Sequence, residues 1–278
     1  MLLSGGFYNR RSCYSFNLSS RQWTKLPDLP SDRYGHGSMS VNNSIFLVGG
    51  LYNKTIDEFE NSTKSLKTVA TMKESRYWFG SCVYESKLLL VAGGLYDNQQ
   101  KSNNCFIYDT SSKTFNEFTS LNVKRFGHFL VNFNGVVYSI GGVNEKDEVI
   151  NSIETYKEKD RRWKMCDLKL HVARAYHQAV VHKNCIYIVG GSRKDGRRTN
   201  TVERIDIVSG KIDLIDVKLR VARSEFASCK IKSKLFIIGG HTGMNSTNTV
   251  EILNLDTMQV QKGVNIPISD HGLSTCAV

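Results

Sequence analysis

Three histidines of this 278-residue chain stand in one register. His36, His128 and His177 each follow an arginine (Arg33, Arg125, Arg174) by three residues. Imidazoles gathered around an axis would be a ligand set for zinc or copper. Elsewhere in the chain the same register holds Phe79, Phe226 and Leu273. A position that accepts phenylalanine or leucine is a packing position, so no metal and no other cofactor is expected. Cys82, Cys229 and Cys276 likewise share a register with Met39, Val131 and Val180, as small buried hydrophobes do. The carboxylates are scattered without a paired-acid motif, and no G-x-S-x-G elbow presents a nucleophile. This argues against an enzyme, although residues distant in sequence can converge in a fold.

The register comes from a repeat. Glycine pairs begin at Gly5, Gly49, Gly93, Gly141, Gly190 and Gly239, 44 to 49 residues apart. None precedes a helix or a Lys-Ser/Thr pair, so they are backbone positions needing close approach or positive φ rather than phosphate loops. Arg33, Arg76, Arg125, Arg174 and Arg223 stand 16 or 17 residues before five of the pairs. After each pair comes a large apolar residue: Phe16, Phe59, Tyr108, Tyr156, Ile205, Leu253. Seven residues later comes a second: Trp23, Leu66, Phe115, Trp163, Ile212, Val260. The stretch from Arg125 to Trp163 shows one unit entire. FGHFLVNF, the turn Asn134-Gly135, VVYSIGG, then SIETY and the run headed by Trp163 read as four short strands with no helical period. A four-stranded unit cannot bury both its faces alone, which is why it recurs.

This pattern resembles the kelch repeat, over essentially the whole chain. The fold expected is all-β: a six-bladed propeller with four antiparallel strands per blade. The blades are read at 1–26 plus 271–278, 34–69, 77–118, 126–165, 175–215 and 224–264. The sequence begins in mid-unit, with Leu2-Leu3-Ser4-Gly5-Gly6 matching a second strand. The segment from Asp270 to Val278 matches a first strand, with Asp270 in the arginine position. The C-terminal strand is therefore expected to complete the N-terminal blade and close the ring.

Composition sets outer bounds. The chain is 40% hydrophobic and 10% aromatic, with a net charge of +11, enough for a core and unlike a disordered segment. No apolar run approaches the roughly 18 residues of a membrane helix, and MLLSGG is no signal peptide. Seven cysteines without a C-x-x-C pair fit a reducing compartment. A cytoplasmic location is expected, cytoskeleton-associated and nuclear sites being the alternatives.

The first two strands of each unit form a hairpin. The arginine positions and the loops after each glycine pair must then share one face, opposite tight turns such as Asn42-Asn43 and Lys183-Asn184. The loops of this face are long and varied, as recognition loops on a scaffold are. Its inventory is aromatic and basic: Tyr8, Arg10, Arg33, Tyr34, Tyr52, Arg76, Tyr77, Tyr96, Arg125, Arg174, Tyr176, Arg193, Arg197, Arg198 and Arg223. The five repeated arginines read first as architecture, pairing with Glu154, Glu203 and Glu251, while a rim position would leave them in reach of a partner. Arg193, Arg197 and Arg198 are not repeated and are the stronger binding candidates. The expected partner is a protein with an acidic or polar segment. Charge alone is weak evidence for nucleic acid, and no membrane is implied.

The resemblance is closest to the propellers of kelch-like proteins. It implies the target-binding part of a ubiquitin-ligase adaptor, in which upstream BTB and BACK domains hold a cullin. Nothing in this sequence precedes the propeller, so a cullin would be reached only through a region absent from it. Actin is the alternative partner that the resemblance implies. A propeller enzyme is a further reading, for which an acid cluster or metal ligands at the channel mouth would be needed.

Overall fold

Each glycine pair places one inner strand against the next around a ring. In the computed structural model, which describes residues 1–60 and 62–277, Gly93 has φ +63°, and a Cβ there would stand 2.5 Å from the Arg125 carbonyl and 2.8 Å from Cε1 of His128. Only glycine fits, because the imidazole and the backbone of the following blade come too close for a side chain. His36 and His177 sit in the same way on Gly5 and Gly141, as do Phe79 on Gly49, Phe226 on Gly190 and Leu273 on Gly239. The histidine register is thus a packing register, and burial holds His36 and His128 neutral, with pKa values well below the usual histidine range.

The described residues form six four-stranded sheets. Five follow chain order from the axis outward: blade two (Gly37–Val41, Ser44–Val48, Thr55–Glu60, Ser65–Thr71), blade three (Gly80–Tyr84, Leu88–Ala92, Cys105–Asp109, Thr114–Phe118), blade four (Phe129–Phe133, Val136–Ile140, Ser152–Lys157, Arg162–Lys169), blade five (Gln178–His182, Cys185–Val189, Thr201–Asp206, Lys211–Lys218) and blade six (Ala227–Ile231, Lys234–Ile238, Val250–Asn254, Gln259–Lys262). Blade one takes its inner strand, Ser274–Cys276, from the other end of the chain, against Leu2–Ser4, Cys13–Asn17 and Gln22–Lys25. The ring is closed as the sequence predicts. Asn61, within the second blade as read from the sequence, and Val278, which ends the segment matched to a first strand, lie outside the described residues.

The seven-residue spacing of the third and fourth strands is a register. Phe16 faces Trp23, Phe59 faces Leu66, Tyr108 faces Phe115, Tyr156 faces Trp163, Ile205 faces Ile212 and Leu253 faces Val260 across their hairpins. Cross-strand pairs of this kind stabilise a sheet. Each of the six seams between blades holds a hydrophobic cluster, such as Leu90, Leu130, Val137 and Trp163 between blades three and four. Cys82 and Cys229 belong to the core, and burial raises their thiols to about 12 and about 11. The hairpin turns bear out the turn chemistry: Asn134 and Gly135 have φ 50° and 80°, Asn42 and Asn43 49° and 65°.

The inner strands begin later than the sequence suggests. The residue after the arginine position makes only a short bridge to the loop beyond the glycine pair in blades three to six (Tyr77 with Leu95, Phe126 with Val143, Ala175 with Ser192, Ser224 with His241). In all six blades the chain then turns through a left-handed residue two places after the arginine position: Gly35, Trp78, Gly127, Tyr176, Glu225 and Gly272. This turn builds the mouth of the channel.

Candidate recognition face

Two rings of backbone hydrogen bonds frame the loop-rich face. In the outer ring the second glycine of each pair donates to the carbonyl of the next blade's arginine position, from Gly6 to Arg33 (3.0 Å) round to Gly240 to Asp270 (2.8 Å). In the inner ring the six left-handed residues bond head to tail. Trp78 N–H donates to Gly35, Gly127 to Trp78, Tyr176 to Gly127, Glu225 to Tyr176, Gly272 to Glu225 and Gly35 to Gly272, at 2.6–3.2 Å. The circle is complete and floors the mouth with backbone. Below it lies a channel cavity of about 150 Å³ edged by Ser38, Ser81, Gln178 and Ser274.

The repeated arginines belong to the scaffold. Arg33, Arg125, Arg174 and Arg223 are fully buried. Each pairs with an acid on its blade's third strand: Asp57 at 2.6 Å, Glu154 at 2.7 Å, Glu203 at 2.5 Å and Glu251 at 2.7 Å. Each also donates to the carbonyl of the first glycine, at 2.6–3.0 Å. With both terminal nitrogens engaged and no surface left, these four cannot touch a partner, which corrects the expectation that they share in binding. The structural pairing with Glu154, Glu203 and Glu251 is the one found. Tyr77 is also withdrawn, since it packs among Leu95, Phe126, Val143 and Ala175. Arg76 lacks an acid on its blade and is considered below.

The remaining candidates surround the mouth or its rim. Tyr8 and Tyr52 are 68% and 73% exposed. Arg10 lies beside the Phe7 ring and donates to the Phe7 carbonyl. Tyr34, Trp78 and Tyr176 form an edge-to-face row with centroids 5.2 and 5.0 Å apart, and glycines make the room for it. A Cβ on Gly127 would meet the Tyr176 ring at 2.9 Å. In blade five's loop Arg193 and Arg197 are exposed. Arg198 is half-buried and braced instead: it donates to Ser192 Oγ (3.2 Å), the Gly196 carbonyl (2.7 Å) and His241 Nδ1 (3.3 Å), joining blades five and six. Tyr96 is turned inward to Arg76 (2.9 Å).

Sequence reasoning missed Glu225, His241, His271 and Phe7. Glu225 lies at the mouth with its side chain 14% exposed, and Tyr34 Oη donates to its Oε2 at 3.4 Å. Burial raises its carboxyl above the usual range, against the pull of Arg198 and of the Tyr34 hydrogen bond. His271 stacks on Phe7 at 4.9 Å and stands 3.7 Å from Glu225; burial and then His241 lower its pKa. The signal that could have found Glu225 is the repeat itself, since it shares a register with three glycines. Among the described residues no group of three His, Cys, Asp or Glu side chains is close enough to hold a metal, and no helix is long and apolar enough to cross a membrane.

Comparison with known proteins agrees with this architecture. Kelch-like protein 40 of Xenopus tropicalis is 30% identical over 164 residues, covering 54% of this chain and 26% of that protein. Kelch-like protein 41a of Danio rerio is 26% identical over 165 residues, 55% of this chain and 27% of that protein. The chain thus matches about a quarter of the length of these relatives. The solved structure of YjhT superposes with a TM-score of 0.78 at 13% identity, over 90% of this chain and 89% of that one, a likeness of fold alone. The domain family described as "KLHDC2/KLHL20/DRC7 Kelch-repeats domain" matches residues 127–278, more than half of the chain, and with the repeat register and the blades it shows that this chain belongs to the kelch-repeat family as a kelch-like propeller.

Proposed function

We propose that this propeller is a non-enzymatic protein-recognition module that binds a polar, acidic segment of a partner at the mouth of its loop-rich face. The observation that carries the reading is the mouth itself. A backbone floor closes it, an aromatic row lines it, a braced Arg198 stands on one side with Arg193 and Arg197 beyond, and a mostly buried Glu225 faces up from the ring. Tyrosines and arginines on a rigid rim are typical anchors of interfaces. An acidic partner group suits the arginines, while Glu225 asks for a hydroxyl or N–H donor beside it. The resemblance to kelch-like proteins supports a finer reading, in which the bound protein is a target presented for ubiquitin transfer when a BTB–BACK region carries the propeller.

The test is affinity for a captured partner, measured with Arg193→Glu/Arg197→Glu and Tyr8→Ala on the loop-rich face and Lys232→Glu on the opposite one. Loss of about 2 kcal/mol in the first two, with Lys232→Glu neutral, is expected. The reverse pattern sinks the assignment of the face. The finer reading fails if joining a BTB–BACK region to the propeller leaves the turnover of that partner unchanged.

A further inference from the structure

Blade three departs from a rule its neighbours keep. In blades four, five and six the third-strand glutamate does two things at once. Glu154 accepts from Arg125 and from the backbone N–H groups of Asn122 (2.7 Å) and Val123 (3.2 Å) in the incoming linker. Glu203 repeats this with His171 and Val172 (2.7 and 3.2 Å), and Glu251 with Arg220 and Val221 (2.7 and 3.1 Å). Blade two has the shorter Asp57, and Pro30, with no N–H, stands where the first linker donor would be. Blade one has neither the arginine nor a third-strand acid, and Pro267 stands at the same place. Where the long acid is missing from these two blades, the first donor is missing with it.

Blade three keeps the donors and lacks the acid. Its linker has the same geometry: Met72 N–H donates to Lys54 as Leu121 does to Asn103 and Leu170 to Asn151. The N–H groups of Lys73 and Glu74 therefore stand where those of Asn122 and Val123 do. Phe106 occupies the position of Glu154. Arg76 is 6% exposed and donates to the carbonyls of Gly93 (3.0 Å) and Asn104 (2.7 Å) and to Tyr96 Oη (2.9 Å). Its guanidinium lies against the Tyr96 and Phe106 rings. Among the described residues no carboxylate lies within 4 Å of it. A buried guanidinium without a counter-charge is costly, and this one opens on a groove of about 460 Å³ lined by Lys73, Glu74, Phe106, Phe115 and Phe118.

We propose that this groove is a second partner-binding site, taking a glutamate side chain flanked by apolar residues. The partner's carboxylate would supply in trans what Glu154, Glu203 and Glu251 supply within their own blades, accepting from Arg76 and the linker N–H groups while its neighbours cover the phenylalanines. The proposal rests on the reading of the propeller as a recogniser of acidic segments and places a contact on the rim of blade three, away from the mouth.

The test uses the peptide Ac-Leu-Glu-Leu-NH2, its Gln counterpart and Ac-Leu-Leu with a free C-terminus, titrated into the ¹⁵N-labelled chain while the Lys73 and Glu74 amides and the Arg76 side-chain signal are followed. The Glu peptide should move these signals saturably and bind at least about tenfold more tightly than the Gln peptide, as loss of a charged hydrogen-bond acceptor implies. Phe106→Glu, which puts the acid back in cis, should abolish the shifts. Glu74→Gln, which removes an acid that lines the groove and acts on the charge of Arg76, should tighten binding of the Glu peptide. Equal binding of Glu and Gln peptides, or no tightening by Glu74→Gln, overturns the proposal, as do shifts that persist in a folded Phe106→Glu protein. If that variant fails to fold, the peptide pair still decides. A free C-terminus that binds as well as the Glu side chain overturns the choice of a side chain. Arg193→Glu/Arg197→Glu should leave the titration unchanged, which separates failure here from failure at the mouth.

Discussion

Asn9 is held by Asp270 across 261 residues of sequence: its backbone N–H and its Nδ2 both donate to Oδ2, at 2.8 and 2.9 Å. The other oxygen accepts from the N–H groups of Phe7, Tyr8 and His271. In five blades the corresponding position is an arginine that reaches into its own blade. In blade one an acid reaches instead for the loop of the other chain end. Closure is therefore written into side-chain chemistry as well as into the three paired residues of the last strand. Asp270→Ala should cost about 3 kcal/mol or more, because five donors gathered on a fully buried carboxylate lose their charged acceptor. Urea denaturation measures it, and a loss under about 1 kcal/mol would show that the strand pairing closes the ring unaided.

A second prediction concerns Arg174 and Glu203. Removing one member leaves a buried charge unpaired, so Arg174→Met or Glu203→Gln alone should cost about 3–5 kcal/mol. The double variant should cost much less than the sum, giving a large coupling in a double-mutant cycle. Additive losses would show that the two side chains act separately.

How far the sequence reaches is plain at this pair. Glycine spacing and the seven-residue register depend on local backbone geometry repeated six times, so the strands, their pairing and the closure were legible. The arginine–glutamate pairs were legible as well, because both members repeat. The mouth was not. Glu225 and His271 occur once each and lie in turns whose left-handed backbone carries no hydrophobic period. Their meaning comes from being gathered around an axis, which single-residue spacing cannot report. The hairpin argument puts Arg33, Arg125, Arg174 and Arg223 among the binding candidates, and their burial, which spacing along the chain cannot report, removes them.

Acid should expose the packing role of His177. Burial, and then Arg174, lowers its pKa to about 3 from an ordinary 6.5. Between those values the unfolded chain binds the proton and the folded chain does not. Stability is then complete above pH 6.5 and falls as pH drops, by about 1.4 kcal/mol per unit for this one ring. His177→Phe, a ring this chain already carries in the same register as Phe226, should remove that share of the acid slope. Denaturation at pH 5 and pH 7 reads it, and an unchanged slope would mean that the ring is already protonated or exposed when folded.

The final prediction turns on Glu225. Its register holds glycine in three blades, yet Glu225 has φ 58°, a conformation costing a side chain about 1 kcal/mol or more. Its carboxyl is also mostly desolvated, and its pKa is raised. A carboxyl whose folded pKa exceeds its unfolded value binds its proton more tightly when folded, so it erodes stability as pH rises through that range. Both terms oppose the native state at neutral pH. The group's contacts, to Tyr34 at 3.4 Å and His271 at 3.7 Å, are long, and the ring hydrogen bond to Tyr176 uses only its backbone. Glu225→Gly should therefore raise stability at pH 7 by about 1 kcal/mol and weaken partner binding at the mouth, the trade expected where strain is kept for a function. Melting curves and affinities of the same variant decide it. If Glu225→Gly destabilises the fold and leaves binding intact, the residue is a brace of the ring and the mouth must recognise its partner without it.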